Sequence, residues 1–169
     1  FYALNSPQDF AGKDVLVVGG GNTALEVALG LKGVASRVRL VHRSRFRADE
    51  SLQHEFLAAG IPYELGWVVA SLEGRETLSA VRLRNLETGE ERAEPLEALI
   101  VCTGLSPSVG YLEELGVALT ERGYVMVDAD CQTNVPGVLA AGDITGAIAR
   151  LAVAVGQGVT AAHTAHRYV

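Results

Sequence analysis

The stretch from Val15 to Glu26, VLVVGGGNTALE, constrains the fold of this chain more than any other. It opens with four apolar, mostly β-branched residues, a run typical of a strand that is buried on both faces. Three glycines follow directly, and a helical pattern begins a few residues later. The spacing is G-x-G-x-x-A, with Gly19, Gly21 and Ala24 at the small-residue positions.

This spacing suits a chain that binds the diphosphate of a dinucleotide. The first glycine permits a tight turn, the second lets the backbone approach the phosphates, and the third small residue lets the helix pack closely on the strand. The first helical amides, near Asn22 and Thr23, then face the anion. A lone glycine triplet also fits an ordinary turn, but here a helix over Thr23–Leu31 and a strand over Arg37–Val41 complete a β-α-β unit. That context favours a dinucleotide site.

Composition excludes several classes of protein. A chain of 169 residues with 49% hydrophobic and 20% charged residues suits one full-sized domain or two small ones with a buried core. A net charge of −6 argues against a nucleic-acid partner. The sequence contains neither a membrane-length apolar run nor a signal-peptide pattern. Cys102 and Cys131 offer no disulfide framework and no metal cluster, so we expect a cytoplasmic protein.

The predicted secondary structure changes after Pro62. Short β-rich runs separated by turns predict antiparallel hairpins rather than another helix, and they are followed by a buried-type strand over Ala98–Cys102. Leu105–Ser108 is the best boundary, because proline and serine follow the end of a strand. The hairpin strands are expected over 67–72, 80–85 and 91–95, further strands over 124–128 and 137–141, and a last helix over 149–168, interrupted near 156–158.

The end of the second strand discriminates between NAD and NADP. An NAD site usually places Asp or Glu there to hold the ribose hydroxyls, but this chain has His42 and Arg43. Five arginines fall between positions 37 and 47, and guanidinium groups suit a 2′-phosphate. We therefore expect NADP(H), held by Arg43 and Arg47 with His42 beside them. A solvated basic turn is the alternative, and the missing acid argues against a methyltransferase that binds S-adenosylmethionine.

Four stretches together resemble the thioredoxin reductase-like flavoproteins of the pyridine nucleotide-disulfide oxidoreductase superfamily. They are VLVVGGGNTALE, HRSRFRA at 42–48, VCTGLSP at 101–107 and PGVLAAGDIT at 136–145. The resemblance implies an α/β fold in two parts. Residues 1–104 would form a Rossmann-like, three-layer NADPH-binding domain with an antiparallel hairpin crossover. Residues 105–169 would form the C-terminal portion of an FAD-binding domain whose N-terminal half is absent.

The same resemblance implies further cofactor contacts. Gly104 would lie beside NADPH, and Asp143 would bind the ribityl chain of FAD. Arg150, Leu151 and Ala152 would lie beside the flavin ring. Without the resemblance, Asp143 fits equally a turn or a helix N-cap, as many Gly-Asp pairs do.

The sequence also departs from the family pattern. Thioredoxin reductases carry Cys-x-x-Cys upstream of the NADPH-binding strand, where this chain aligns Tyr2 and Asn5. Because a dithiol must be paired to reduce a disulfide, the ferredoxin–NADP reductase-like branch fits better. The basic-plus-glutamine pair before the last helix aligns with Ala149-Arg150, and the basic motif is one residue short, which leaves the role of Arg45 open. The chain has a single glycine motif and begins with Phe1, so a fragment or a processed product is expected.

The leading functional hypothesis is part of an NADPH-dependent flavoprotein oxidoreductase. NADPH would reduce FAD, and the electrons would pass to a small redox protein or a small-molecule acceptor. We expect a homodimer with no membrane partner, and we nominate no acid or base; His163 and His166 fit exposed helix positions. Two alternatives remain open. One is a stand-alone, non-catalytic NADP-binding module or fragment, and the other is a thioredoxin reductase that lacks its dithiol.

Overall fold

The computed structural model describes residues 6–168 of the chain, so the positions aligned with the dithiol, Tyr2 and Asn5, lie outside the described residues. The chain divides into two compact units, unit 1 (Phe1–Gly104) and unit 2 (Leu105–Val169). Over the described residues, no helix combines the length and apolar character that a membrane crossing needs.

Unit 1 is built on two sheets. The elements in chain order are a 3₁₀ turn (Pro7–Phe10), β1 (Asp14–Val18), α1 (Asn22–Leu31), β2 (Arg37–His42), α2 (Glu50–Ala58), β3 (Tyr63–Leu65), β4 (Trp67–Gly74), β5 (Leu78–Asn85), β6 (Glu91–Pro95) and β7 (Ala98–Val101). The parallel sheet has the strand order β3-β2-β1-β7, and the antiparallel sheet has the order β4-β5-β6.

Alternation along β1 explains how the parallel sheet is covered on both faces. Val15 and Val17 belong to a core shared with residues of α1 and α2, including Leu25 and Phe56. Leu16 points the other way and belongs to a second core with residues of the antiparallel sheet. Successive strand residues face opposite sides, so one strand serves both cores. The result is three layers, and the predicted α/β class with an antiparallel crossover is confirmed.

An ionic cluster lies where the antiparallel sheet meets the parallel sheet. The Arg39 guanidinium on β2 pairs with Asp14 on β1 at 3.2 Å and also with Glu94 on β6. Arg92 on β6 pairs with both Glu94 and Glu64, and its guanidinium carbon lies 4.0 Å from the centre of the Trp67 ring. These pairs connect the two sheets along one edge.

This cluster separates two of the five arginines between positions 37 and 47 from the three that follow β2. Arg37 and Arg39 lie in β2 beside β1, where Asp14 aligns with Arg37 in the sheet register. Arg37 pairs with Asp14 at 3.7 Å. The Asp14 carboxylate at the start of β1 therefore pairs with both guanidiniums. Arg43, Arg45 and Arg47, beyond the end of β2, form a separate group.

Unit 2 has less regular structure. Its described helices are α3 (Gly110–Glu114) and α4 (Leu151–His166), with a 3₁₀ turn at Asp143–Thr145. The strands predicted over 124–128 and 137–141 are wrong, because each forms only an isolated bridge, Leu119 with Val125 and Gln132 with Leu139. A small core of Val109, Val117 and Val125 holds the unit together. β-branched runs favour a strand, but a ladder also needs a neighbour of matching length.

Helix α4 runs through Gly156–Gly158 without the predicted interruption. Each glycine costs a helix roughly 1 kcal/mol relative to alanine, yet Gln157 between them makes tertiary contacts. Its side-chain oxygen accepts hydrogen bonds from the Gly142 amide at 2.8 Å and the Thr145 hydroxyl at 3.3 Å. These bonds fix the middle of the helix, so tertiary structure overrides the local preference.

The ionic cluster generates a stability prediction. We expect Arg39→Met to lower the free energy of unfolding by about 2–3 kcal/mol, because it removes the mostly buried guanidinium that bridges Asp14 and Glu94 and leaves each carboxylate with only its second arginine. The control is Arg37→Met on the same strand, whose side chain is 60% exposed and whose loss should cost less than about 1 kcal/mol. Urea unfolding followed by Trp67 fluorescence measures both. Equal losses for the two variants would contradict a connecting role for Arg39.

Candidate functional site

The turn between β1 and α1 is closely packed at its first glycine. Gly19 has φ +151°, and a side chain added there would overlap the carbonyl oxygen of Cys102, which follows β7. That added Cβ would also lie 3.0 Å from the Cβ of Ala24, which is fully buried in α1. The Gly19 amide donates to the Val41 carbonyl at 3.0 Å. Small residues at both positions therefore let α1 begin directly against the sheet.

Gly21 lies in a different environment, because the space beside it is open. Its backbone has φ −97° and ψ −179°, values that any residue adopts. A Cβ added there would meet no atom within 4 Å. Helix α1 begins at Asn22 without a side-chain cap, and the first amides of a helix have no carbonyl partner within it. Open backbone beside uncapped amides fits the diphosphate of a dinucleotide.

The basic segment, residues 42–49, begins at the last residue of β2. His42 is buried, with 5% of its surface exposed, and its ring occupies the space that a side chain at Gly20 would need. Burial lowers the pKa of His42, and the cations Arg47 and Arg43 lower it further. The neutral imidazole is therefore favoured, and His42 forms a wall of the site behind the glycine turn.

The arginines of the basic segment are exposed, unlike His42. Arg43, Arg45 and Arg47 all lie at the surface. Among residues 6–168, no carboxylate forms an ion pair with any of the three. The Arg47 amide donates to the Gly20 carbonyl at 2.7 Å, which brings this segment against the glycine turn. Positive charge that has no ion-pair partner among residues 6–168 thus lies next to the open backbone at Gly21 and the first amides of α1. We call this open backbone the cradle.

Two cavities lie at the carboxyl ends of the parallel strands. The larger, about 440 Å³, is lined by Arg43 and Arg47 and by an apolar wall that includes Trp67, Leu72 and Val101. The smaller cavity has a volume of about 120 Å³. Arg47 lines both cavities. The residues that line the smaller cavity are Gly21, Thr23, Arg47, Cys102, Thr103 and Gly104.

This arrangement brings together most of the residues predicted for a nucleotide. The smaller cavity combines Gly21 and Thr23 with Gly104, and the larger one adds the guanidiniums. An apolar wall with arginines at its edge can hold an aromatic base and a phosphate together. Ligands of open α/β sheets bind outside the carboxyl ends of the strands, which is where both cavities lie. Gly19, Asn22 and Ala24 line neither cavity, because Gly19 and Ala24 pack where α1 meets the sheet and the Asn22 side chain bonds to Asp49.

Sequence reasoning missed several lining residues. Thr103 lines both cavities, and Trp67 and Leu72 of β4 close the larger one. Thr103 could have been found, since it follows a strand that lies beside β1 in the parallel sheet. The β4 side chains carried no such signal, because only the packing of the antiparallel sheet brings them to this edge.

The residues predicted to contact a flavin all lie on the surface of unit 2. Asp143 begins the 3₁₀ turn and is exposed, and Arg150 is the exposed N-cap of α4. Leu151 is 82% exposed, and Ala152 is also exposed. Helix α4 starts without a side-chain cap and without an acid in its first turn. The first amides of α4 thus have neither a carbonyl partner within the helix nor a side-chain cap.

The two cysteines have the environment of structural thiols. Cys102 and Cys131 are both buried. Burial raises the pKa of the Cys102 thiol, and burial followed by the charges of Asp128 and Asp130 raises that of Cys131. Thiolates rather than thiols carry out disulfide exchange, so both residues are poorly suited to it.

Similarity to known proteins extends along nearly the whole chain. A family model described as pyridine nucleotide-disulphide oxidoreductase matches residues 2–158. The chain is 35% identical over 170 residues to ferredoxin–NADP reductase of Ignicoccus hospitalis, covering 99% of this chain and 55% of that protein. It is 33% identical over 163 residues to the F component of alkyl hydroperoxide reductase of Staphylococcus aureus, covering 95% of this chain and 32% of the relative.

A solved structure matches along nearly the same length. Thioredoxin reductase of T. acidophilum superposes with a TM-score of 0.84 at 32% identity, over 95% of this chain and 54% of its own. The chain thus spans about half or less of the length of these relatives. The resemblance drawn from the four sequence motifs is confirmed. Since the family match extends from the glycine turn of unit 1 into α4 of unit 2, this chain belongs to the pyridine nucleotide-disulphide oxidoreductase family.

Proposed function

We propose that unit 1 is an NADPH-binding domain and that the chain is part of an NADPH-dependent flavoprotein oxidoreductase. One observation carries the proposal: the open cradle at Gly21 adjoins a cavity edged by two arginines that have no acidic partner among residues 6–168. The family supports an oxidoreductase role for the protein of which this chain is a part.

Different residues of unit 1 would hold the diphosphate and the 2′-phosphate of the nucleotide. The backbone at Gly21 and the amides of Asn22 and Thr23 would hold the diphosphate. Arg43 and Arg47 would hold the 2′-phosphate, since guanidinium–phosphate contacts are strong and can be bidentate. None of residues 43–48, directly after β2, is a carboxylate that could bind free ribose hydroxyls, as an NAD site would require. The apolar wall of the larger cavity would receive the adenine.

The proposed contacts with FAD lie in unit 2. NADPH supplies a hydride that FAD can accept, and the protein contributes position and electrostatics. Asp143 would bind the ribityl chain, and the start of α4 at Arg150–Ala152 would lie beside the ring. The electron acceptor is proposed to be a small redox protein or a small molecule, and the assembly a homodimer. The proposed compartment is the cytoplasm, because two cysteines give no disulfide framework.

A second candidate is a stand-alone NADP-binding module or fragment without catalysis. The exposure of Asp143 and of Arg150–Ala152 favours it, because exposed residues do not by themselves enclose a flavin. The presence of a single glycine motif in the sequence points the same way. The two candidates share the nucleotide site and differ in whether this chain holds a flavin.

Cofactor content separates the two candidates. The purified 169-residue chain is incubated with FAD, desalted, and scanned for flavin absorbance, and NADP⁺ binding is measured by isothermal titration calorimetry. Retained flavin together with NADP⁺ binding supports the oxidoreductase hypothesis for this chain. NADP⁺ binding without retained flavin supports the module or fragment. A chain that binds neither would contradict the proposal.

The open cradle gives a prediction at Gly21. Gly21→Ala should change the free energy of unfolding by less than about 0.5 kcal/mol, because the added Cβ meets no protein atom. It should weaken NADP⁺ binding about tenfold or more, since the methyl group would fill the space proposed for the phosphates. Gly110→Ala is the control, because that glycine also has open space beside it. Undiminished NADP⁺ affinity in Gly21→Ala would count against the site.

The arginines give a prediction about cofactor choice. Replacing Arg43 and Arg47 with glutamine should weaken NADPH binding by roughly 3–6 kcal/mol in total, at about 1.5–3 kcal/mol for each charged contact. NADH binding should change little, because NADH lacks the 2′-phosphate. Arg75→Gln removes one exposed arginine that lines neither cavity and controls for the loss of a surface charge elsewhere. Equal losses for NADPH and NADH would reject the phosphate role.

A further inference from the structure

The glycine turn and the basic segment are joined by a reciprocal pair of hydrogen bonds. The side-chain amide of Asn22 donates to the Asp49 carboxylate at 2.7 Å. The backbone amide of Asp49 donates in return to the side-chain oxygen of Asn22 at 2.8 Å. Asn22 is the first residue of α1, and Asp49 immediately precedes α2. We refer to this pair as the Asn22–Asp49 clasp.

The behaviour of Asp49 indicates that the clasp is more than ordinary helix capping. Asp49 occupies the N-cap position of α2, where an aspartate usually accepts a hydrogen bond from an amide of its own helix. Here its side chain makes no capping bond. The carboxylate reaches instead across 27 residues of sequence to Asn22. It also forms no ion pair with the nearby arginines among the described residues.

The clasp is one of several contacts that fix the basic segment. At one end, the buried ring of His42 packs against Gly20. Near the other end, the Arg47 amide donates to the Gly20 carbonyl at 2.7 Å. The clasp lies two residues beyond Arg47, and Ala48 between them is buried. The backbone that carries Arg47 is therefore held to the same turn that forms the cradle.

The clasp also limits how Asn22 can contact a cofactor. The sequence placed Asn22 among the cofactor contacts through the first amides of the helix, and both the amide nitrogen and the oxygen of its side chain are bonded to Asp49. The side chain therefore faces the basic segment, and only the backbone amide of Asn22 is left for a diphosphate.

We propose that Asn22 and Asp49 are positioning residues that set the preference for a 2′-phosphate, by holding Arg47 at a fixed place beside the glycine turn. The inference rests on the NADP(H) site proposed above. A guanidinium whose backbone is held in place loses less freedom when it binds a phosphate, so the clasp should strengthen that contact in particular. The diphosphate contacts, made by the backbone of α1, do not depend on it.

The test compares two ligands that differ in one phosphate group. Affinities for adenosine 2′,5′-bisphosphate and for adenosine 5′-monophosphate are measured by calorimetry on the 169-residue chain, and their ratio is the readout. Asn22→Asp places two carboxylates together and breaks the clasp. The double variant Asn22→Asp with Asp49→Asn carries the same new charge at position 22 but restores the side-chain hydrogen bond with donor and acceptor exchanged, while the backbone amide of residue 49 still donates to the side chain at position 22. Circular dichroism and Trp67 fluorescence establish that each variant is folded.

We expect the affinity ratio to fall about three- to tenfold in Asn22→Asp, in the range of coupling between residues that touch. In the double variant it should return to within about twofold of the wild-type ratio. A merely structural role would lower both affinities and leave the ratio unchanged. An unchanged ratio in Asn22→Asp, or an equally low ratio in the double variant, would overturn the inference.

The outcome for the wild-type chain separates this inference from the proposed function. If the wild type shows no preference for the bisphosphate, the proposed NADP(H) site itself fails. If the wild type prefers the bisphosphate and Asn22→Asp keeps that preference in full, only the role of the clasp fails.

Discussion

The close approach of α1 to the ends of β1 and β7 is the contact on which the rest of unit 1 depends. Gly19 leaves no room for a side chain beside the Cys102 carbonyl, and the buried Ala24 packs against the same point. Because the helix begins directly against the sheet, its first amides open toward the carboxyl ends of the parallel strands. A larger residue at either position would move that helix start and, with it, the cradle at Gly21.

Charge is distributed around this contact in two separate groups. Arg39 and Arg92 are paired with carboxylates and connect the two sheets. Arg43 and Arg47, only a few residues beyond Arg39, have no acidic partner among residues 6–168. Surface arginines usually gain little from single ion pairs, whereas a dianionic phosphate offers them several acceptors at once. The division between arginines that pair with carboxylates and arginines without an acidic partner in residues 6–168 falls at the end of β2.

The sequence predicted those features that are decided by neighbours along the chain. The β1 turn, the start of α1 and the hairpin strands follow from periodicity and glycine spacing, which are local signals. The pairing of Arg39 with Glu94 joins residues 55 positions apart, and the clasp joins residues 27 apart. The cavity wall formed by Trp67 and Leu72 depends on where the antiparallel sheet packs. No local pattern carries such information, so these features emerged only from the structure.

In unit 2, local sequence patterns led to wrong predictions, because contacts with distant residues decided the structure. The runs at 124–128 and 137–141 have the composition of strands, yet they form isolated bridges because no neighbouring segment among residues 105–168 continues the ladder. Helix α4 contains two glycines that argue for a break, yet Gln157 bonds to Gly142 and the helix continues. In each case a non-local partner, absent or present, decided the outcome.

The central claim is that a 2′-phosphorylated dinucleotide lies over Gly21 with its extra phosphate on the guanidiniums of Arg43 and Arg47. A crystal structure of the chain with NADP⁺ tests it most directly. We expect diphosphate density against the Gly21 backbone and 2′-phosphate density within hydrogen-bond distance of both arginines. Ordered NADP⁺ bound elsewhere, or a 2′-phosphate facing solvent with neither arginine in contact, would contradict it.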